Sequence, residues 1–116
     1  MDTATTNPKV IAAAEDVAAF VAEFPARSAS CVCEPGNGSR YSVVLTPVTA
    51  LSPGTVGGTG DRGWLISLPN YGTCYSVPSI GTLHADYVAD KWFGGNMADG
   101  RALCEILREI GRRIDG

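Results

Sequence analysis

The residues with reactive side chains are few: four cysteines, one histidine, and a glycine-rich stretch that holds an arginine. Cys31 and Cys33 form a C-x-C pair, and on a strand of period two both thiols leave from the same face. Cys74 and Cys104 stand alone. A structural zinc site needs four ligands in a tetrahedron, written in sequence as repeated C-x2–4-C or as such a pair with histidines, and this spacing matches neither. The cysteines therefore read as small apolar residues that fill a core, the ordinary use of a free thiol in a reducing compartment. No metal and no cofactor is expected. Under oxidising conditions the partner for Cys31 or Cys33 is Cys74, provided the strands that carry them lie side by side.

His84 is the single histidine, so a Ser-His-Asp or Cys-His arrangement has to use it. A carboxylate from elsewhere, Asp61 or Asp99, would orient it, and Ser67, Ser76 or Cys74 would be the nucleophile. Nothing in the spacing demands this, and a histidine near a helix start more often decorates a surface. A hydrolase or transferase built on His84 is the weakest of three functional readings. Residues 54–63 bring Gly57, Gly58, Gly60 and Arg62 together. A P-loop needs a lysine and a helix after it, and a dinucleotide fingerprint opens a helix; here lysine is missing and a strand follows. What remains is a nest of backbone N–H groups for an anionic or nucleotide-like ligand, with Arg62 as its charge partner. Tyr71 at a turn and Tyr75 on the adjoining strand complete this candidate ligand site, since aromatic side chains are common binding anchors. Most of the other aromatics, which cluster late as Trp64, Tyr87, Trp92 and Phe93, read as core.

The elements that must position these residues follow from periodicity. Thr6 or Asn7 caps a first helix, with Pro8 at its first position, where a missing N–H costs nothing. Val10, Ala13, Ala14, Val17, Phe20, Val21 and Phe24 recur at helical spacing as one apolar face, and Pro25 ends the helix. Two β-like runs, 30–34 and 41–48, are joined by the turn-rich 35–39, and a second pair, 64–68 and 73–77, closes through 69–72. In the run 41–48, Tyr41, Val43 and Leu45 take one face and Ser42, Val44 and Thr46 the other. The connection 49–63, with Pro53 and five glycines, is longer than compact domains ordinarily use. It reads first as a crossover that lets the second hairpin reach its place in the sheet. Thr82 or a neighbour caps a short helix ending near Trp92 and Phe93, and Gly94 and Gly95 supply a left-handed exit. Asn96 caps the last helix, with Asp99 favourable to the N-terminal dipole. Leu103, Ile106, Leu107, Ile110 and Ile114 form its buried stripe. Arg101 with Glu105, Glu105 with Arg108, and Glu109 with Arg112 and Arg113 predict a solvated opposite face.

With 116 residues, 45% of them hydrophobic and 18% charged, the chain predicts a single self-sufficient α+β domain over 1–116. The expected order is an N-terminal helix, a four-stranded antiparallel sheet built from two hairpins, and two C-terminal helices packed on one face. A net charge of −3 argues against nucleic acid, whose phosphates are held by clustered Lys and Arg. No apolar run approaches the roughly 18 residues a membrane helix needs, and the start lacks a cationic segment followed by an apolar one; a cytoplasmic protein without membrane contact is expected. Seven arginines against two lysines, with no glutamine, resembles the usage of high-GC bacteria and their phages. The leading functional reading is a non-catalytic interaction module that associates with itself through an uncovered sheet edge or face, or binds a protein partner. The alternative is a protein that binds or sequesters a small anionic ligand at Gly57, Gly58, Gly60, Arg62, Tyr71 and Tyr75.

Overall fold

Helix α1 (Pro8–Glu23) begins where the sequence places it in the computed structural model, which describes residues 6–34, 40–48, 63–77 and 79–114. The Asn7 side chain accepts a hydrogen bond from the Lys9 backbone N–H at 3.0 Å, and Pro8 needs none. The apolar stripe turns inward: Ala14 and Val17 are buried, and Val10, Ala13, Phe20 and Val21 pack against the core. The Phe24 N–H closes the last turn on the Phe20 carbonyl at 2.7 Å, and Pro25 follows.

Four strands form one antiparallel sheet in the order β1 (Ala29–Cys33), β2 (Tyr41–Val48), β3 (Gly63–Leu68) and β4 (Thr73–Val77). Each strand pairs with its neighbour in sequence, and the pleat assigns the faces. Leu45 lies opposite both Ala29 and Ile66, Val43 opposite Cys31, and Trp64 opposite Val77, and these residues look toward the helices. Val48 and Gly63 are direct cross-strand partners. The connection between them therefore links adjacent antiparallel strands and is no crossover, which corrects the sequence expectation. Residues 49–62 lie outside the described residues; two would bridge such a pair.

After β4 the chain makes a 3-10 turn (Ile80–Thr82), and α2 (Ala85–Trp92) begins three residues beyond the expected Thr82 cap. His84 occupies the N-cap position and makes no side-chain capping bond. The exit from α2 is as expected: Gly94 and Gly95 take φ of 60° and 93°, and the Gly95 N–H reaches the Ala89 carbonyl at 2.9 Å. Asn96 then caps α3 (Met97–Ile114), its Oδ1 accepting from the N–H groups of Ala98 and Asp99 at 3.1 and 3.3 Å.

Helix α3 packs against α1, α2, the 3-10 turn and β1, so it is the centre of the helical layer. Its burial is correspondingly broad. Beyond Leu103, Ile106, Leu107 and Ile110 it takes in Asp99, Gly100, Cys104, Glu109 and Gly111. The expected solvated face is thus corrected at Glu109, which is 4% exposed and forms ion pairs with Arg112 and, at 2.8 Å, with Arg113. At Gly100 a Cβ would stand 2.7 Å from both the Ala85 carbonyl oxygen and the Ala89 Cβ. Only glycine lets α2 and α3 approach this closely.

Candidate functional site

The helices cover one face of the sheet, and this divides the reactive residues. Cys31 and Cys33 on β1 face the helical layer, where Cys33 and Cys104 are buried and the Cys104 Sγ lies 3.5 Å from the Leu83 carbonyl. Loss of water around the thiols pushes Cys31 up to about 11 and Cys33 to about 12. Neighbouring Cys31, Asp99, Glu105 and Cys104 add negative potential at Cys33. Cys104 is pushed up to about 11 by the same burial, against a lowering from the Arg108 guanidinium. A nucleophilic or metal-binding cysteine needs the opposite shift. Among the described residues no three His, Cys, Asp or Glu side chains converge as a metal site.

Cys74 belongs to the other face. It is exposed, on the strand opposite Ser67, at the far edge of the sheet from β1. Three strand spacings of about 4.8 Å separate β1 from β4, well beyond the roughly 7 Å Cα limit for a disulfide. The alternative pairing of Cys31 or Cys33 with Cys74 within one chain is therefore excluded.

The same division separates the proposed triad members. His84 is exposed in the helical layer at the start of α2, whereas Ser67, Ser76 and Cys74 share the opposite sheet face. Asp99 is buried in the first turn of α3. Asp61 lies outside the described residues.

Of the candidate ligand residues, Gly57, Gly58, Gly60 and Arg62 lie outside the described residues, and Tyr75 is placed only as a residue of β4. Tyr71 sits in the β3–β4 turn, 42% exposed, with its ring 5.4 Å from that of Tyr41 and edge-on to Phe93 at 5.3 Å. Phe93 and Tyr41 meet at 4.8 Å with their planes tilted by 40°, so the three rings close one end of the core. Tyr71 is thus partly committed to packing. In the same turn Asn70 Oδ1 accepts the Ser42 N–H at 3.0 Å, fixing the hairpin tip on β2. Of the late aromatics, Trp64 and Trp92 are buried in the core, as most were expected to be, while Tyr87 is 38% exposed.

The uncovered sheet face carries Ser30, Val32, Ser42, Val44, Thr46, Leu65, Ser67 and Cys74, and no described helix packs on it. Val32 is 41% exposed; Val44 and Leu65 are half-buried. Ser28 and Thr46 hydroxyls meet across β1 and β2 at 2.8 Å.

Among the described residues, two hollows lie beside β1. The first, about 240 Å3, lies between the start of α1, the end of β1 and the first half of α3, and Lys9, Glu34, Arg101 and Glu105 rim it. Glu34 holds Lys9 at 3.1 Å and Arg40 at 3.0 Å, exposed pairs worth about 0–1 kcal/mol each. The second, about 320 Å3, lies between α1 and the start of β1 and is lined by Asp16, Val17, Phe20, Ser28, Ala29 and Ser30. Sequence reasoning missed it. Strand order is what makes β1 an edge, and no residue pattern in the sequence carries it.

Comparison of the chain with models of known protein families, with curated proteins and with solved structures finds no match in any of the three.

Proposed function

We propose that this protein is a small non-catalytic interaction module that engages a protein partner or a second copy through the part of its sheet the helices leave uncovered. The observation that carries this reading is the one-sided cover. Val32 stands 41% exposed beside half-buried Val44 and Leu65 on a face that no described helix packs against, and among the described residues both outer strands are edges. Such faces and edges are the surfaces through which sheets associate. The thiol environments support the non-catalytic part, because burial holds three of the four cysteines protonated.

Cys74 offers the test, being exposed on the open face. A photoactivatable cross-linker attached there, in chain returned to its own cells, is expected to capture one dominant species, a partner or a second copy. Val32→Lys and Leu65→Lys should abolish that product. A chain that sediments as a monomer at every concentration and yields no product sensitive to these substitutions overturns the reading.

A further inference from the structure

We propose that the hollow between α1 and the outer edge of β1 is a docking groove for an extended segment of another protein, which adds to the sheet as a fifth strand. It presents an apolar residue to Phe20 and, two positions away, a lysine or arginine to Asp16. This deepens the interaction-module reading and rests on it.

The placement of the hollow comes first. Ser30 points to the open face and Ala29 to the covered one, yet both line the hollow along with Ser28. A space that touches consecutive residues of a strand lies against its edge, not over either face. That edge is unpaired: β1 meets β2 on one side, and among the described residues no strand lies on the other. Its outward N–H and C=O groups are a template for one more strand.

The opposite wall is α1, which runs alongside β1 in the reverse direction. Lys9 near its start holds Glu34 beyond the end of β1, and Phe20 near its end lines the hollow with Ser28. Asp16 and Phe20 are four residues apart, so they stand about 6 Å apart along the helix. Alternate residues of an extended segment on β1 are about 7 Å apart and leave from the same side. One of them meets the half-buried Phe20 ring above Val17, and the other meets the exposed Asp16 carboxylate. Among the described residues that line the hollow, Asp16 is the sole ionisable group, so the complementary side chain is basic. The volume, about 320 Å3, lies at the lower end of ligand pockets, enough for the side chains of a short segment. A second copy suits the groove less well, because β1 pairing with β1 about a twofold axis brings Asp16 to the same interface from both chains.

The test uses the full chain against a displayed library of random peptides, followed by fluorescence polarisation with the enriched sequence. A segment that continues the antiparallel sheet runs in the direction of α1 and meets Asp16 before Phe20, so enrichment of Lys or Arg followed two positions later by an apolar residue is expected. Asp16→Lys, which replaces an attraction with a repulsion, should weaken binding about three- to tenfold, and replacing the peptide's basic residue with Glu should restore it. Backbone amides of β1 should exchange more slowly in the complex. Asp16 is exposed, so its variant folds, and the charge swap separates recognition from damage. Peptides whose binding responds to Val32→Lys and not to Asp16→Lys overturn the groove while leaving the interaction module standing. No enrichment, or a dimer of this chain that Asp16→Lys dissolves, also overturns it.

Discussion

Two faces of the same four strands behave differently, although their residues alternate along one backbone. On the covered side Val43, Leu45, Ile66 and Leu68 are wholly buried, while on the other Val32 is 41% exposed and Val44 and Leu65 are half-buried. Valine and leucine occur on both, so side-chain polarity alone does not decide burial. The helical layer on one side does. Ser30, Ser42, Thr46 and Ser67 interleave with the apolar residues of the open face and break up a patch that would otherwise invite indiscriminate association.

The largest expected contrast comes from truncating neighbours on β3. Ile66→Ala removes a side chain with no exposed surface and should cost about 2–5 kcal/mol in urea unfolding. Leu65→Ala, one residue away on the open face, should cost less than half as much, since it forfeits only part of that burial. Equal losses would mean that the open face is covered in solution, and the contrast between the faces would fail.

The helical layer can be probed where it is tightest. Gly100→Ala places a methyl 2.7 Å from Ala85 and Ala89, so α2 must move off α3. Overpacking of this kind costs about 1–3 kcal/mol, against which alanine recovers at most about 1 kcal/mol of helix propensity. A net loss is expected in thermal unfolding. A more stable variant would show that the two helices cross further apart.

The element order was legible in the sequence because each element carries its own signal: Asn7 and Pro8 open α1, Gly94 and Gly95 close α2, Asn96 opens α3, and alternation fixes the face of β2. The departures share a cause. Glu109 sits at helical spacing from Arg112 and Arg113, which reads as a solvent-facing network, and the sequence cannot show that α3 is flanked by helices on two sides. Gly100 carried no visible role, for its meaning lies in Ala85 and Ala89, elements away. The α1–β1 hollow was hidden for the same reason. It is a property of an edge, and an edge exists only once strand order is known.

The thiols sharpen the comparison of the faces with the smallest effect. Cys33 is held protonated by burial up to about 12, whereas unfolding returns it to an ordinary value near 9. Between those values the folded chain binds a proton that the unfolded chain has released, so stability is intact below about 9 and falls as pH rises toward 12. The slope is about 1 kcal/mol per pH unit for a single thiol. Cys31 and Cys104, each raised to about 11, add to it over a narrower window. Urea titrations near pH 9 and one unit higher should show this fall. Cys33→Ala should take away about a third of this fall, since Cys31 and Cys104 still titrate, on top of a loss from the small cavity that does not change with pH. Cys74→Ala, on the exposed face, should lower stability less than Cys33→Ala at either pH, because it removes little buried surface. If Cys33→Ala leaves the slope as it was, the covered face is wetter than its burial indicates, and the distinction between the faces does not extend to their chemistry.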